Sequence, residues 1–355
     1  MTTTNVASST HAFLEDDVST RSLLFAPLLL CLSVAGCTFD SDEQFPSALM
    51  TTTRALFAAV SDTTAAEIDA QYLDRAYPPL PEVPAALSDV ATIDIEEVAG
   101  FSVWTLTPKA DASALRLLYI HGGGWVNELD TGHLTMLAEL ITRTGVTVTV
   151  PIYGLAPEHT VAEATPFLDA VYQRLLDEGA ADTIRVGGDS AGGNIALAQV
   201  MHWRDLGLPL PARVFLFAPA PDIAFADPAI AALDPFDGLD LDAVRQWGHY
   251  WSGDLDPRDP ILSPLHGTFD DLPPLFITVG TAEMLFVDNR SLAAALGADV
   301  LLVENATSVL PSPRRSRHAV LMYPGAFHVF HLARTLPEAD DVLRRLVEFV
   351  VEETP

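Results

Sequence analysis

The chain has 355 residues and carries 19 basic against 48 acidic side chains, a formal net charge of −29. That balance excludes a nucleic-acid binder, since affinity for a polyanion comes from Lys and Arg neutralising phosphates, and Lys109 is the one lysine. It also argues against docking on anionic lipid headgroups through a basic face. At 49% hydrophobic and 19% charged the chain buries a large core, which excludes disorder throughout and suits one large domain or two small ones. Two cysteines, Cys31 and Cys37, make neither a disulfide framework nor a four-ligand zinc site nor an iron–sulfur cluster by themselves. There is no His-Glu-x-x-His run and no Walker loop, so no metal and no nucleotide or other organic cofactor is expected.

Leu23 to Ala35 is apolar apart from Ser33, too short for a membrane-crossing helix, which needs about 20 residues, and it reads as a signal-peptide core. It ends Leu32-Ser33-Val34-Ala35-Gly36-Cys37, which resembles the lipobox of bacterial lipoproteins. The resemblance implies a leader over residues 1–40, cleaved before Cys37, and a lipid anchor on that cysteine. The segment Met1 to Thr20, with Glu15, Asp16 and Asp17, has the wrong charge and length for a signal n-region; a start at Val18 restores a normal length. A second reading is an ordinary buried or interfacial helix. Envelope lipoprotein and cytoplasmic protein are therefore both open.

From Ser41 to Leu87 the pattern is helical, over Thr51 to Val60 and Thr64 to Ala76, up to a cluster of Pro78, Pro79, Pro81 and Pro84 that ends helices and marks a connection. Strands then alternate with helices. The strands are expected at Thr92 to Val98, Phe101 to Thr107, Leu115 to Ile120, Val146 to Val150, Thr183 to Val186, Val214 to Phe217, Leu275 to Val279 and Ala319 to Tyr323. The helices are expected at Gly132 to Arg143, Phe167 to Asp177, Ala191 to Asp205, Asn289 to Leu296 and Glu338 to Val351. Such alternation implies a parallel sheet covered by helices, and the later strands, apolar on both faces, fit it. The first two strands alternate and are separated only by Ala99-Gly100, a hairpin signal. Pro219 to Asp259, rich in Asp, Pro and aromatics, is long enough to cover the carboxyl edge of the sheet. The basic, proline-rich island Glu304 to Arg317 reads as an exposed loop.

Gly188-Asp189-Ser190-Ala191-Gly192-Gly193-Asn194 follows a strand and opens a helix. Gly-x-Ser-x-Gly in that context is the nucleophile elbow, in which a strained turn exposes the hydroxyl and small flanking residues let strand and helix approach. Helix N-terminal amides lie beside it, where negative charge develops. Upstream, directly after another strand, His121-Gly122-Gly123-Gly124-Trp125 leaves backbone amides bare for an oxyanion. His121 itself reads as a structural hydrogen-bonding residue and Asp189 as structural.

These stretches, with Tyr153-Gly154-Leu155-Ala156-Pro157-Glu158-His159, Asp259-Pro260-Ile261-Leu262-Ser263-Pro264, Gly280 to Asp288 and Pro324-Gly325-Ala326-Phe327-His328, resemble the hormone-sensitive-lipase-like carboxylesterases of the α/β-hydrolase fold, in family order over most of Thr92 to Pro355. The departure is Gly154, where the family usually has arginine. The resemblance implies an eight-stranded, mostly parallel sheet flanked by helices, a helical cap, and a triad of serine, acid and histidine. It selects His328 over His331 as general base, leaving His331 to packing or capping, and gives the oxyanion amides to Gly123, Gly124 and Ala191. Glu283 and Asp288 both follow the strand Leu275 to Val279; Glu283 is taken as the acid, as in a similar subgroup with Glu at that position, with Asp288 the alternative. Trp125, Trp247, Tyr250 and Trp251 are candidates for lining a substrate pocket.

The expected organisation is a leader over 1–40, N-terminal cap helices and linker over 41–88, and a hydrolase domain over 89–355 whose segment 219–259 supplies a second cap piece. The expected activity is hydrolysis of short- to medium-chain carboxylic esters, small molecules, through an acyl-serine. Lactone hydrolysis and a hydrolase-fold binding protein without catalysis are the alternatives, since fold alone does not guarantee activity.

Overall fold

The structure, a computed structural model, describes residues 44–57, 72–73, 80–234, 237–309 and 317–352. The leader with its Leu23 to Cys37 stretch, most of Thr64 to Ala76 and residues 310–316 of the basic island lie outside the described residues.

Helix α1 (Ala48–Phe57) precedes α2 (Ala85–Val90), which runs straight into β1 (Ala91–Val98) and β2 (Phe101–Pro108). There follow β3 (Arg116–Ile120), α3 (Thr131–Thr144), β4 (Thr147–Pro151), α4 (Val161–Glu178), β5 (Ile184–Asp189), α5 (Ser190–Asp205) and β6 (Arg213–Phe217). After the segment holding α6 (Leu241–Ser252) come β7 (Leu275–Gly280), α7 (Phe286–Ala295), β8 (Asp299–Leu302), β9 (Ala319–Tyr323) and α8 (Pro337–Val351). The strands form one sheet in the order β1-β2-β4-β3-β5-β6-β7-β9-β8. β1 and β2 form the expected antiparallel hairpin, with Ala99 and Gly100 both at positive φ, the turn that matches strand twist. β2 also pairs antiparallel with β4, and every later pairing is parallel.

Three elements differ from expectation. Among the described residues the sheet has nine strands rather than eight, because Asp299–Leu302 adds an edge strand beside β9; it is only four residues long and half-exposed, and gives no run of buried apolar residues to read. Helix α4 starts at Val161, well before Phe167. Thr160 and Glu163 form a capping box that starts the helix upstream of Pro166, which lies inside it. Ala85–Val90 is helical although it follows the proline cluster, with Pro84 just outside its first turn, where a missing N–H costs no helical bond.

β5, β6 and β7 are buried at every residue, as strands covered on both faces should be. One apolar cluster joins these strands to α4 and α5 and to Phe225, Ile230, Leu241, Val244 and Trp251 of the segment 219–259. Parallel pairing places the carboxyl ends of β3, β5, β7 and β9 along one edge of the sheet, where open α/β sheets bind ligands. Gly123 and Gly124 follow β3, Ser190 and Ala191 follow β5, Glu283 follows β7 and His328 follows β9.

Candidate active site

Ser190 sits at φ 51°, a left-handed backbone that a non-glycine residue adopts at a cost of about 1–3 kcal/mol, and it opens α5 immediately after β5. The turn is possible because the residues two positions to either side, Gly188 and Gly192, lack side chains. A Cβ at Gly188 would stand 2.6 Å from the carbonyl oxygen of Gly192, and one at Gly192 would collide with the carbonyl oxygens of Ile120 and His121. The glycines thus bring the first turn of α5 against the end of β3, beside the loop His121 to Trp125. Ala191, second in the helix, has one of the amides left without an intrahelical acceptor.

Gly123, Gly124 and Trp125 all have positive φ, so the loop curls back, with the amides of Val126 and Asn127 bonded to the carbonyl of Gly123. Asp189 braces it: one carboxylate oxygen accepts from the Gly122 amide at 2.9 Å and the Tyr119 hydroxyl at 2.7 Å, and the other faces His133 Nε2 at 3.2 Å. Burial alone would raise the Asp189 pKa, but the charge and hydrogen bond of His133, with that of Tyr119, pull it well below the carboxylate range. His133, desolvated but flanked by Asp189 and Asp130, is held well above its ordinary value. Its Nε2 faces the Asp189 carboxylate, and its Nδ1 lies 2.8 Å from the Asp130 carboxylate and 3.0 Å from the Asp130 amide, the two anions favouring the imidazolium. His121 is neutral, pushed down by burial to about 4; its Nδ1 donates to the Gly122 carbonyl at 2.7 Å and its ring stacks on Tyr153. Both His121 and Asp189 have the structural positions expected of them.

Two residues distant in sequence, His328 and Glu283, extend a hydrogen-bonded chain from Ser190. His328 Nε2 lies 2.8 Å from the serine Oγ, and its Nδ1 donates to Glu283 Oε2 at 2.5 Å. The second glutamate oxygen accepts from the Gly280 amide at 2.6 Å. Glu283 is fully buried, and burial would lower the His328 pKa, but the hydrogen bond and charge of Glu283, with the charges of Asp237 and Asp189, raise it overall. Asp288 is not part of this chain: it sits in the first turn of α7, where burial first, then the charges of Asp222 and Asp227, push it up to about 7. His331 is buried with its ring centroid 4.2 Å from that of Phe217 and its pKa pushed down by burial to about 3, a packing residue as expected.

Of the aromatic candidates, Trp125 and Trp251 belong to the core, 2% and 0% exposed, rather than to an open pocket, because Trp251 packs edge-on against Tyr153 beneath the loop. Trp247 is placed otherwise: a Cβ at Gly124 would be 2.5 Å from its ring, and Tyr72 packs edge-on with that ring. Tyr250 is half-buried on the same helix. A Cβ at Gly154 would strike the His159 ring.

Sequence reasoning passed over two residues. His133 reads as an ordinary helical position, although Asp130 three residues earlier signals a cap. Asp237 is fully buried, accepting the Met284 amide at 2.6 Å directly beside Glu283; among the many acidic residues of the segment 219–259 nothing in the sequence marks it.

Residues 117–332 match a family model described as alpha/beta hydrolase fold. The chain is 30% identical over 251 residues to an acetyl-hydrolase of Streptomyces hygroscopicus, covering 69% of this chain and 76% of that protein. It is 32% identical over 219 residues to the esterase LipI of Mycobacterium tuberculosis, covering 58% and 68%. Among solved structures it resembles an esterase from the bacterial hormone-sensitive lipase family, with a TM-score of 0.68 at 23% identity over 86% of this chain and 97% of that one. Strand order, elbow and family match agree: the chain belongs to the α/β-hydrolase fold family.

Proposed function

We propose that Ser190, His328 and Glu283 hydrolyse short- to medium-chain carboxylic esters through an acyl-serine intermediate. The chain is a carboxylic ester hydrolase, the activity class for which its relatives are named. The observation that carries the finer reading is the continuous hydrogen-bonded chain from Ser190 Oγ through His328 to Glu283.

In the first half-reaction His328 Nε2 takes the serine proton while Oγ bonds to the ester carbonyl carbon. The carbonyl oxygen becomes an oxyanion facing the amides of Gly123, Gly124 and Ala191, and Glu283 stabilises the imidazolium through Nδ1–H. Collapse of the intermediate breaks the acyl C–O bond, and His328 returns the proton to the departing alkoxide. Water repeats the cycle on the acyl-serine and frees the acid. Each step uses only side chains and amides of this chain. Residues 41–88 and the segment 219–259 act as the cap, a reading supported by Trp247 against Gly124 with Tyr72 packed edge-on with its ring. A tryptophan so close to the oxyanion loop favours small acyl groups.

The test is a stopped-flow burst with p-nitrophenyl esters of increasing chain length. One equivalent of p-nitrophenol per protein, with the acyl mass found on Ser190 and both lost in Ser190→Ala, is expected. Turnover persisting in Ser190→Ala within about tenfold of the parent removes the serine from the mechanism.

A further inference from the structure

Two buried carboxylates, Glu283 and Asp237, act on the charge of His328, although a Ser-His-acid chain needs one. Glu283 has both oxygens committed, one to His328 and one to the Gly280 amide. The turn that bears it is gripped by Asp237, whose Oδ2 accepts from the Met284 amide at 2.6 Å and whose Oδ1 accepts from the Leu239 amide at 3.3 Å. Asp237 and Glu283 are each 0% exposed. The two arrive from different parts of the chain, Glu283 from the turn after β7 and Asp237 from the segment between β6 and α6.

A buried carboxylate is costly unless charge or hydrogen bonds compensate it. Two backbone amides partly compensate Asp237. The cation within its electrostatic reach is His328, and Glu283 opposes it as a like charge. A neutral side chain would grip the Met284 amide without that repulsion, so the charge needs a reason beyond holding the turn.

We propose that Asp237 is a positioning residue for the Glu283–His328 pair, fixing the turn that carries Glu283 and supplying a second negative charge to the imidazolium that forms when Ser190 attacks. This rests on Glu283 and His328 being acid and base as proposed above. The groups facing His328 are Glu283 from the turn after β7, Asp237 from the segment 219–259 and Asp189 from the end of β5, with the neutral His331 on its own turn. Burial raises the Asp237 pKa to about 6, Glu283 adding to the rise and His328 opposing it. At neutral pH and above it is therefore largely ionised, and its charge makes His328 more basic.

The sign of the test follows. His328 must be neutral to take the serine proton, so kcat/KM rises with pH through its pKa. Removing the charge of Asp237 lowers that pKa and shifts the acid limb to lower pH. Asp237→Asn keeps an acceptor for the Met284 amide and loses only the charge; with p-nitrophenyl acetate it is expected to shift the acid limb down by about half a pH unit or more. It should also lower kcat by about tenfold with KM unchanged. An acid limb coinciding with that of the parent, or moving upward, overturns the proposal. Asp237→Ser, smaller and still an acceptor, gives the same comparison should the asparagine variant fail to accumulate. Glu283→Gln, measured alongside, separates the two readings: if it retains full turnover, the underlying assignment of the acid has failed; if it is inactive while both Asp237 variants keep the parental profile, only the role of Asp237 has failed.

Discussion

Asp189 accepts the amide of Gly122 at 2.9 Å, so the residue before Ser190 holds the residue before Gly123. Elbow and oxyanion loop come from separate strands, β5 and β3, and this bond fixes their spacing together with the parallel register of Ile120 opposite Gly188. Asp189→Asn leaves the buried His133 imidazolium short of one counter-charge. Breaking a buried pair from one side costs about 3 kcal/mol or more, and a loosened loop misdirects the Gly123 and Gly124 amides. Urea unfolding should show that loss, and kcat should fall by about a hundredfold with little change in KM. An asparagine variant with parental stability would show that His133 does not depend on this charge.

Glu283 and Asp288 were equal in sequence position after β7, and their surroundings separate them. Glu283→Gln should reduce kcat by about a thousandfold or more, since an amide neither fixes the imidazole tautomer nor stabilises imidazolium. Asp288→Asn should stay within about threefold of the parent, because one oxygen of Asp288 is buried without a hydrogen-bond partner and its charged neighbours are acidic. Initial rates on one ester with both purified variants decide it; greater damage from the Asp288 change moves the acid to α7.

At Gly192 the first turn of α5 meets the backbone at the end of β3. A Cβ there collides with the carbonyl oxygens of Ile120 and His121, neither able to move without dragging β3 and the oxyanion loop. At Gly207 nothing lies within 4 Å of the added atom, and the cost is only that of a positive φ. Gly192→Ala should therefore abolish turnover or soluble expression, whereas Gly207→Ala should cost about 1 kcal/mol and leave turnover intact. Equal effects of the two on activity would mean that α5 does not need its close approach to β3.

What was legible in the sequence is what local chemistry dictates. Gly188 to Gly192 and His121 to Trp125 announce themselves because close approach demands glycine, and β5 to β7 because two-sided burial demands apolar runs. The edge strand β8 has no such demand on its residues, since Val300 and Leu302 are exposed. Asp237 was illegible for a different reason: its position depends on a contact with Met284 across |i−j| = 47, which no local pattern encodes. The choice of His328 over His331 needed the family resemblance, since in sequence both follow the last long strand. In space one reaches Ser190 and the other lies against Phe217.

His331 also makes the fold sensitive to acid. Burial holds it neutral, with a pKa of about 3, and His121 likewise at about 4, while both titrate near 6.5 once unfolded. Below about pH 6.5 the unfolded chain therefore takes up protons that the folded chain refuses, so stability falls with falling pH by about 1.4 kcal/mol per unit for each histidine. The fall continues to about pH 4 for His121 and about pH 3 for His331. His133 does not oppose this, because its raised pKa keeps it protonated in both states over that window. Asp237 and Asp288, raised by burial to about 6 and about 7, take up protons in the folded state and do oppose it, so the contribution of His331 is read as a difference between variant and parent. His331→Leu keeps the packing against Phe217 and removes one titrating group and an unpartnered Nε2. Urea unfolding at about pH 7, 6 and 5 should then give a gain in stability per pH unit that is smaller than the parent's by about 1.4 kcal/mol, with ester turnover within about tenfold of the parent. Parallel lines for parent and variant would mean that His331 protonates inside the folded protein as readily as outside it.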